Sequence, residues 1–267
     1  MGSGKSYLIE SLPRCLRINF DTRPCTSGNP LCDTWPYVDN GVPLDTNGNP
    51  LIISVENSIE VVSQLIAQAT LPNRPYDTIC YDTIDALFTL LKPLIAKRDF
   101  GADSITKVDA RHSYPKIAEE IYYKFILPLR NVGYGIVFNS HVVSNTVFTD
   151  EKATGQVEDL RIPPSIRNAI VPSCDMICRL EGVEGIRKVD RPQKNPDGTI
   201  LRVLKVDEKY KETLLYTKDP RLPNFLKIGY SSKFPNPLTL PSLHPWQFLE
   251  ATYRAAYDAT VAESLSK

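Results

Sequence analysis

The sequence predicts an α/β fold: a mostly parallel central sheet with helices on both faces and an antiparallel C-terminal extension. Three observations carry this. Strand-like and helix-like stretches alternate as far as about residue 140. The strand-like stretches CLRINF (15–20), YDTICYD (76–82) and GYGIVFNSH (133–141) are apolar on both faces, as strands lying between two helical layers must be. After about residue 175, TILRVLKV, ETLLYTK and NFLKIG follow one another without intervening helices, so the long crossover that a parallel pair needs is missing.

In chain order, Lys5 to Leu12 reads as a helix stopped by Pro13. CLRINF is a strand that closes on Asp21. Residues 22–50 are dense in Pro, Gly, Asn and Asp, and the Asn-Gly pairs of VDNGVPLDTNGNPL favour tight hairpin turns. The segment reads as an insertion, a small projecting ribbon. LIISV (51–55) reads as a strand. Asn57 or Ser58 then caps a helix with Ile59, Val62, Leu65, Ile66 and Ala69 at helical spacing. YDTICYD is a buried strand ending on an acid, followed by an amphipathic helix from Thr83 to Lys97. Residues 99–113 are polar and expected to be mobile. A helix from Tyr114 to Asn131 admits Pro115 in its first turn and bends or breaks near Pro128. Residues 144–164, with Gly155 and a closing Pro-Pro, read as a long mobile loop. A short helix, the strand CDMICRLE, the later strands and a proline-rich stretch lead to a helix from Trp246 to about Ser264. The organisation expected is a core over 1–240 and a helical tail over 241–267.

At 267 residues the chain can bury one large α/β core. A formal net charge of zero removes bulk basicity as an argument for nucleic-acid binding. No apolar run is long enough to cross a membrane, and the small, polar, glycine-rich start is unlike a signal peptide. The six cysteines (15, 25, 32, 80, 174 and 178) form no C-x-x-C and read as thiols of a reducing cytoplasm. Cys25 and Cys32 alone fall two ligands short of a structural zinc site.

The opening MGSGKSYL contains Gly4-Lys5-Ser6, the last letters of the phosphate-binding signature G-x-x-x-x-G-K-[ST], whose first Gly would fall just before Met1. Such a loop works because successive backbone N–H groups point into one cavity at a helix start, where the helix dipole is positive. Gly2, Ser3, Gly4, Lys5, Ser6 and Tyr7 would form it. Lys5 would reach the β- and γ-phosphates, and the Ser6 hydroxyl would hold magnesium. Asp82 ends an apolar strand, where a magnesium-bound nucleotide needs a carboxylate, the Walker B role. The plainer alternative is an Asp that caps the next helix. Asn139, Ser140 and His141 end the strand GIVFNSH at the edge where open parallel sheets bind ligands, so Ser140 and His141 are candidate γ-phosphate sensors. For His141 the alternative is a partly buried histidine bonded to backbone.

With GSGKS, LRINFDT, PYDTICYDTIDALFTLL, GYGIVFNSHVV, CDMICRLE and LYTKDPRLP in this order over most of 1–240, the chain resembles the phage and prophage RecA-like P-loop ATPases. These are the phage nucleotide-binding proteins that include the Sak4-type single-strand annealing family. The resemblance implies a RecA-like P-loop NTPase fold, ATP and Mg2+ as cofactors, and a homo-oligomer with nucleotide at the subunit interface. It further implies action on single-stranded DNA in recombination or replication, possible contact with single-strand binding protein, and a place in the bacterial host cytoplasm. It also implies a cation supplied by the neighbouring subunit, and Lys218 and Arg221 stand where that pair would be; a solvated hairpin tip is the alternative. Segment 144–164 is placed like a DNA-contacting loop, but Asp150, Glu151, Glu158 and Asp159 offset Lys152 and Arg161. The DNA expectation therefore rests on the resemblance.

Two features depart from that pattern. The glutamate that orients the attacking water is replaced by Asp21-Thr22-Arg23, which leaves Asp21, Glu56 and Asp85 as candidate bases and makes slow hydrolysis expected. The strand that precedes the phosphate loop is central in such sheets, and its loss would leave backbone groups unpaired, so residues upstream of Met1 are expected. Two rival readings stand beside the ATPase: a nucleotide-gated oligomeric scaffold without turnover, and a small-molecule kinase, for which the sequence shows no arginine-rich lid.

Overall fold

The computed structural model describes residues 4–25, 30–149, 152–196, 198–219, 227–228 and 233–266. The chain begins with α1 (Lys5–Glu10), β1 (Cys15–Asn19), β2 (Asp33–Trp35), β3 (Tyr37–Asp39), β4 (Val42–Leu44) and α2 (Val55–Gln68). β5 (Thr78–Asp82), α3 (Ile84–Phe100), α4 (Ala110–Glu120), a π-helical turn (Ile121–Ile126), α5 (Leu127–Asn131) and β6 (Gly135–Asn139) follow. Next come β7 (Val142–Thr149), β8 (Lys152–Leu160), α6 (Pro164–Ile170), β9 (Met176–Ile177), β10 (Arg179–Lys194) and β11 (Ile200–Tyr216). β12 (Lys227–Ile228), β13 (Leu238–Leu240) and α7 (Pro245–Leu265) complete the described elements.

The central sheet has the order β2-β1-β5-β6 and is parallel throughout. Its register sets Asn19 beside Asp82 and Asp82 beside Asn139, so three polar residues line up at the C-terminal ends of adjacent strands. The period-two alternation of a strand divides the remaining side chains between two layers. Leu16, Ile18, Ile79, Tyr81, Ile136 and Phe138 face the large cluster built with α2, α3, α4, α6 and the π turn. Cys15, Cys80 and Val137 face the other way, against Ile9, Leu12 and Trp246. Helices thus cover both faces, as the apolar strands predict.

Tyr81 stands at the centre of the large cluster. Its ring lies between Phe20 and Phe138, with centroids at 6.3 and 5.8 Å, and meets Phe125 edge-on. Its hydroxyl donates to the Phe125 carbonyl inside the π turn. That turn also accommodates Pro128, which has no N–H to continue the helical ladder. The bend expected near Pro128 is therefore a widened turn just before it.

A second cluster joins Leu8, Leu215, Phe234, Leu238, Leu240, Leu249 and Ala256. It packs the start of the chain against β11, β13 and α7. The antiparallel extension is observed: β10 pairs with β11 along its whole length, and β13 adds to the root of β11. No described helix is long and apolar enough to cross a membrane.

Several elements differ from expectation. Within 22–50, Asp33–Trp35 is a parallel edge strand of the main sheet, so only β3 and β4 form the ribbon, turning through Asn40 and Gly41 at φ 48° and 81°. LIISV is not a strand; Ser54 caps α2 in a reciprocal box with Asn57, whose side chain also bonds the Ile52 carbonyl. Segment 99–113 carries a Ser104-capped turn with Ile105 buried, and α4 begins at Ala110, capped by Asp109. Segment 144–164 is mostly the β7–β8 hairpin followed by α6, since its Val and Thr residues suit a two-stranded ladder despite the polar composition. TILRVLKV and ETLLYTK are one continuous strand, and β10 runs on to Lys194. The β10–β11 ladder also carries cross-strand charge pairs such as Arg187–Glu212 and Lys211–Glu184, both 3.3 Å.

Candidate functional site

The site lies at the C-terminal ends of β1, β5 and β6. Asp82 is 3% exposed, and both of its oxygens are held. Arg17, fully buried on β1, places Nε 2.7 Å and Nη2 2.6 Å from Oδ2. Asn139 donates from Nδ2 to Oδ1 at 2.5 Å. Glu10, also buried, approaches Arg17 Nη1 at 3.4 Å, which links α1 through Arg17 to Asp82. Burial opposes the Arg17 charge, but the charge and hydrogen bond of Asp82 outweigh it and raise the pKa, so the guanidinium stays charged. Thr83, not Asp82, caps α3. That removes the plain capping role for Asp82.

The turn before α1 is left-handed at Gly4, φ 81°, a conformation that glycine adopts without steric cost. A Cβ there would also sit 2.8 Å from Thr213 Cγ2, so the root of β11 presses on the turn. Lys5 follows. Burial pushes its ammonium pKa down, Asp82 and Asp85 pull it up, and Arg23 adds to the lowering; the net shift is downward. Lys5 thus stands within electrostatic reach of Asp82, Asp85 and Asp21. Tyr7 bonds through its hydroxyl to the Ser242 carbonyl, tying α1 to the segment between β13 and α7.

His141 has a different partner from the backbone expected for a core histidine. Its Nδ1 is 2.8 Å from Asp85 Oδ2, and its backbone N–H donates to Asp85 Oδ1 at 3.2 Å. Its Nε2 lies 3.8 Å from Asp21 Oδ2. Asp21 in turn accepts from Thr83 Oγ1 at 3.1 Å and has Arg23 Nε at 3.5 Å.

The structure therefore brings together Lys5, Asp21, Asp82 and His141, with Ser6 in the first turn of α1. Ser140 turns its hydroxyl to the His141 carbonyl. Glu56 is not brought in: it is exposed, and its pKa is lowered by its own backbone N–H and by Ser54 at the start of α2. Lys218 is exposed, its backbone is clasped by Asn236, and no contact recorded for it among the described residues reaches the site. Gly2, Ser3 and Arg221 lie outside the described residues. Arg17, Glu10 and Asp85 complete the arrangement. Arg17 had a visible signal, a charge in the middle of the apolar strand CLRINF.

Among the described residues no group of three or more His, Cys, Asp or Glu side chains is placed to hold a metal ion alone. Magnesium takes one or two protein oxygens and completes its shell with water and substrate phosphates. Ser6 and Asp82 are the two residues that the sequence offers for that ion. With both Asp82 oxygens already bonded, the carboxylate is suited to act on the ion through water.

A family model for the AAA domain, AAA_24, matches residues 1–219. No curated protein matches the chain. The parallel four-stranded sheet flanked by helices, with its antiparallel extension, agrees with the P-loop NTPase fold of such domains.

Proposed function

The chain belongs to the AAA-domain family AAA_24, and from that premise we propose that it binds ATP with magnesium and hydrolyses the terminal phosphoanhydride. The observation that carries this reading is the alignment of Asn19, Asp82 and Asn139 at the C-terminal edge of the parallel sheet, with Asp82 linked through Arg17 and Glu10 to the helix that Gly4-Lys5-Ser6 opens. The left-handed turn at Gly4 starts a helix whose first N–H groups suit phosphate oxygens. Lys5 neutralises charge on the β- and γ-phosphates. Ser6 and Asp82 hold the metal, with Arg17 and Asn139 keeping Asp82 aimed. Bound magnesium would neutralise further phosphate charge.

The DNA role goes one step further. In the RecA-like phage group that the chain resembles, the ATPase serves recombination or replication on single-stranded DNA, as a homo-oligomer. The ordered segments from GSGKS to NSH support extending that role to this chain. The test is ATP turnover with magnesium, with and without single-stranded DNA, beside Lys5→Ala. Stimulated turnover lost in Lys5→Ala is expected. Turnover indifferent to DNA would refute the DNA role, and phosphate transfer to a metabolite would indicate a kinase.

One observation favours a second reading, the nucleotide-gated scaffold: both Asp82 oxygens are already engaged. Nucleotide-dependent assembly without turnover would select it.

A further inference from the structure

We infer that Asp85 is a positioning residue that fixes the tautomer of His141, so that His141 Nε2 takes the proton of the attacking water beside Asp21. The inference rests on the hydrolysis reading above and names the base that the sequence leaves open.

The geometry has three parts. The Asp85 carboxylate is gripped by two donors of one residue, the backbone N–H of His141 at 3.2 Å and Nδ1 at 2.8 Å. An ionised carboxylate only accepts, so this contact places a proton on Nδ1 and leaves Nε2 as an acceptor. The pair is sheltered, with side chains 24% and 10% exposed. Nε2 then faces Asp21 Oδ2 across 3.8 Å, too far for a direct hydrogen bond. Two acceptors at that separation can each receive one proton of a single water, with an O–H···N or O–H···O length of about 2.8 Å. A water held in this way turns its lone pairs outward. Asp21 keeps its place through Thr83 Oγ1 at 3.1 Å. Lys5 is within electrostatic reach of both Asp21 and Asp85.

The step balances. One water O–H bond breaks and its proton goes to His141 Nε2, while the water oxygen forms a bond to the γ-phosphorus. The bridging P–O bond breaks, and its electron pair leaves on ADP. The imidazolium formed lies between the carboxylates of Asp85 and Asp21, which stabilise its charge. It returns the proton to solvent or to released phosphate.

The test uses the full chain labelled with 15N-histidine. The chain has three histidines, and His112 and His244, both exposed, serve as references. At a pH where histidine is ordinarily neutral, His141 is expected to carry its proton on Nδ1, whereas the references show the ordinary mixture. Asp85→Asn, whose amide can donate to Nδ1, is expected to move the proton to Nε2. It should lower ATP turnover about 100-fold, well beyond any change in nucleotide affinity, and Asp85→Glu should restore part of the rate. Unfolding midpoints close to wild type show that each variant is folded. A proton on Nε2 in the wild-type chain that turns over ATP would overturn the assignment alone. So would unchanged turnover in Asp85→Asn. A wild-type chain with the expected tautomer but no turnover would sink the hydrolysis reading, and the base role with it.

Discussion

Arg17 and Asp82 form an ion pair on adjacent strands, at 2.6 Å, with the arginine side chain wholly removed from solvent and the carboxylate nearly so. Such a pair is weak evidence for stability as a unit, but removing one partner leaves an uncompensated buried charge. Arg17→Met is therefore expected to destabilise the chain by about 3–5 kcal/mol, and Arg17→Lys by less, because Lys keeps the charge and loses the Nε hydrogen bond to Asp82. Denaturant midpoints of the three proteins check this. A midpoint for Arg17→Met close to wild type would contradict the buried-pair account.

Tyr81→Phe keeps the stacked ring and deletes only the hydroxyl that bonds the Phe125 carbonyl. The carbonyl is then left without that donor inside the core, which costs about 1–3 kcal/mol. Thermal unfolding at fixed pH measures it. An effect near zero would mean that the π turn does not depend on this bond.

Gly4→Ala forces a Cβ into a left-handed turn and against Thr213. The strain from φ alone is on the order of 1 kcal/mol, and the contact adds to it. Nucleotide affinity is expected to fall. Adding Thr213→Ala should recover part of the loss by removing the contact, while the φ strain stays. Titration with a fluorescent ATP analogue reads both. Full affinity in Gly4→Ala would show that the turn is not the phosphate cradle.

Asp77 is held below the ordinary carboxylate range, first by the Arg14 hydrogen bond, against some burial, and then by Arg74. A depressed folded pKa gives stability that is present above the unfolded value and lost as pH falls through the folded one. The wild-type chain should lose stability over that acid window, and Asp77→Asn should flatten part of the slope. Equal slopes in denaturant titrations across acid pH would refute the linkage.

The parallel core was legible because the residues that build it are local. CLRINF, YDTICYD and GYGIVFNSH each carry their own apolar run, and their polar ends coincide once the strands align. The contacts that organise the site are distant in sequence. Arg17 and Asp82 are 65 residues apart, and Asp85 and His141 are 56 apart, so no local pattern joins them. The polar hairpin β7–β8 and the long β10–β11 ribbon escape a reading based on burial, because cross-strand pairing carries them. LIISV shows the reverse error: its apolar, β-branched composition suggests a strand, but the reciprocal Ser54–Asn57 cap begins a helix at its end.

The most direct test of the central claim is paired measurement of ATP binding and single-turnover hydrolysis, with magnesium, for the wild-type chain, Lys5→Ala and Asp82→Asn. The account predicts that Lys5→Ala loses binding, whereas Asp82→Asn still binds nucleotide and hydrolyses it at least about 100-fold more slowly. Wild-type affinity in Lys5→Ala, or wild-type hydrolysis in Asp82→Asn, would contradict the assignment of this sheet edge as the nucleotide site.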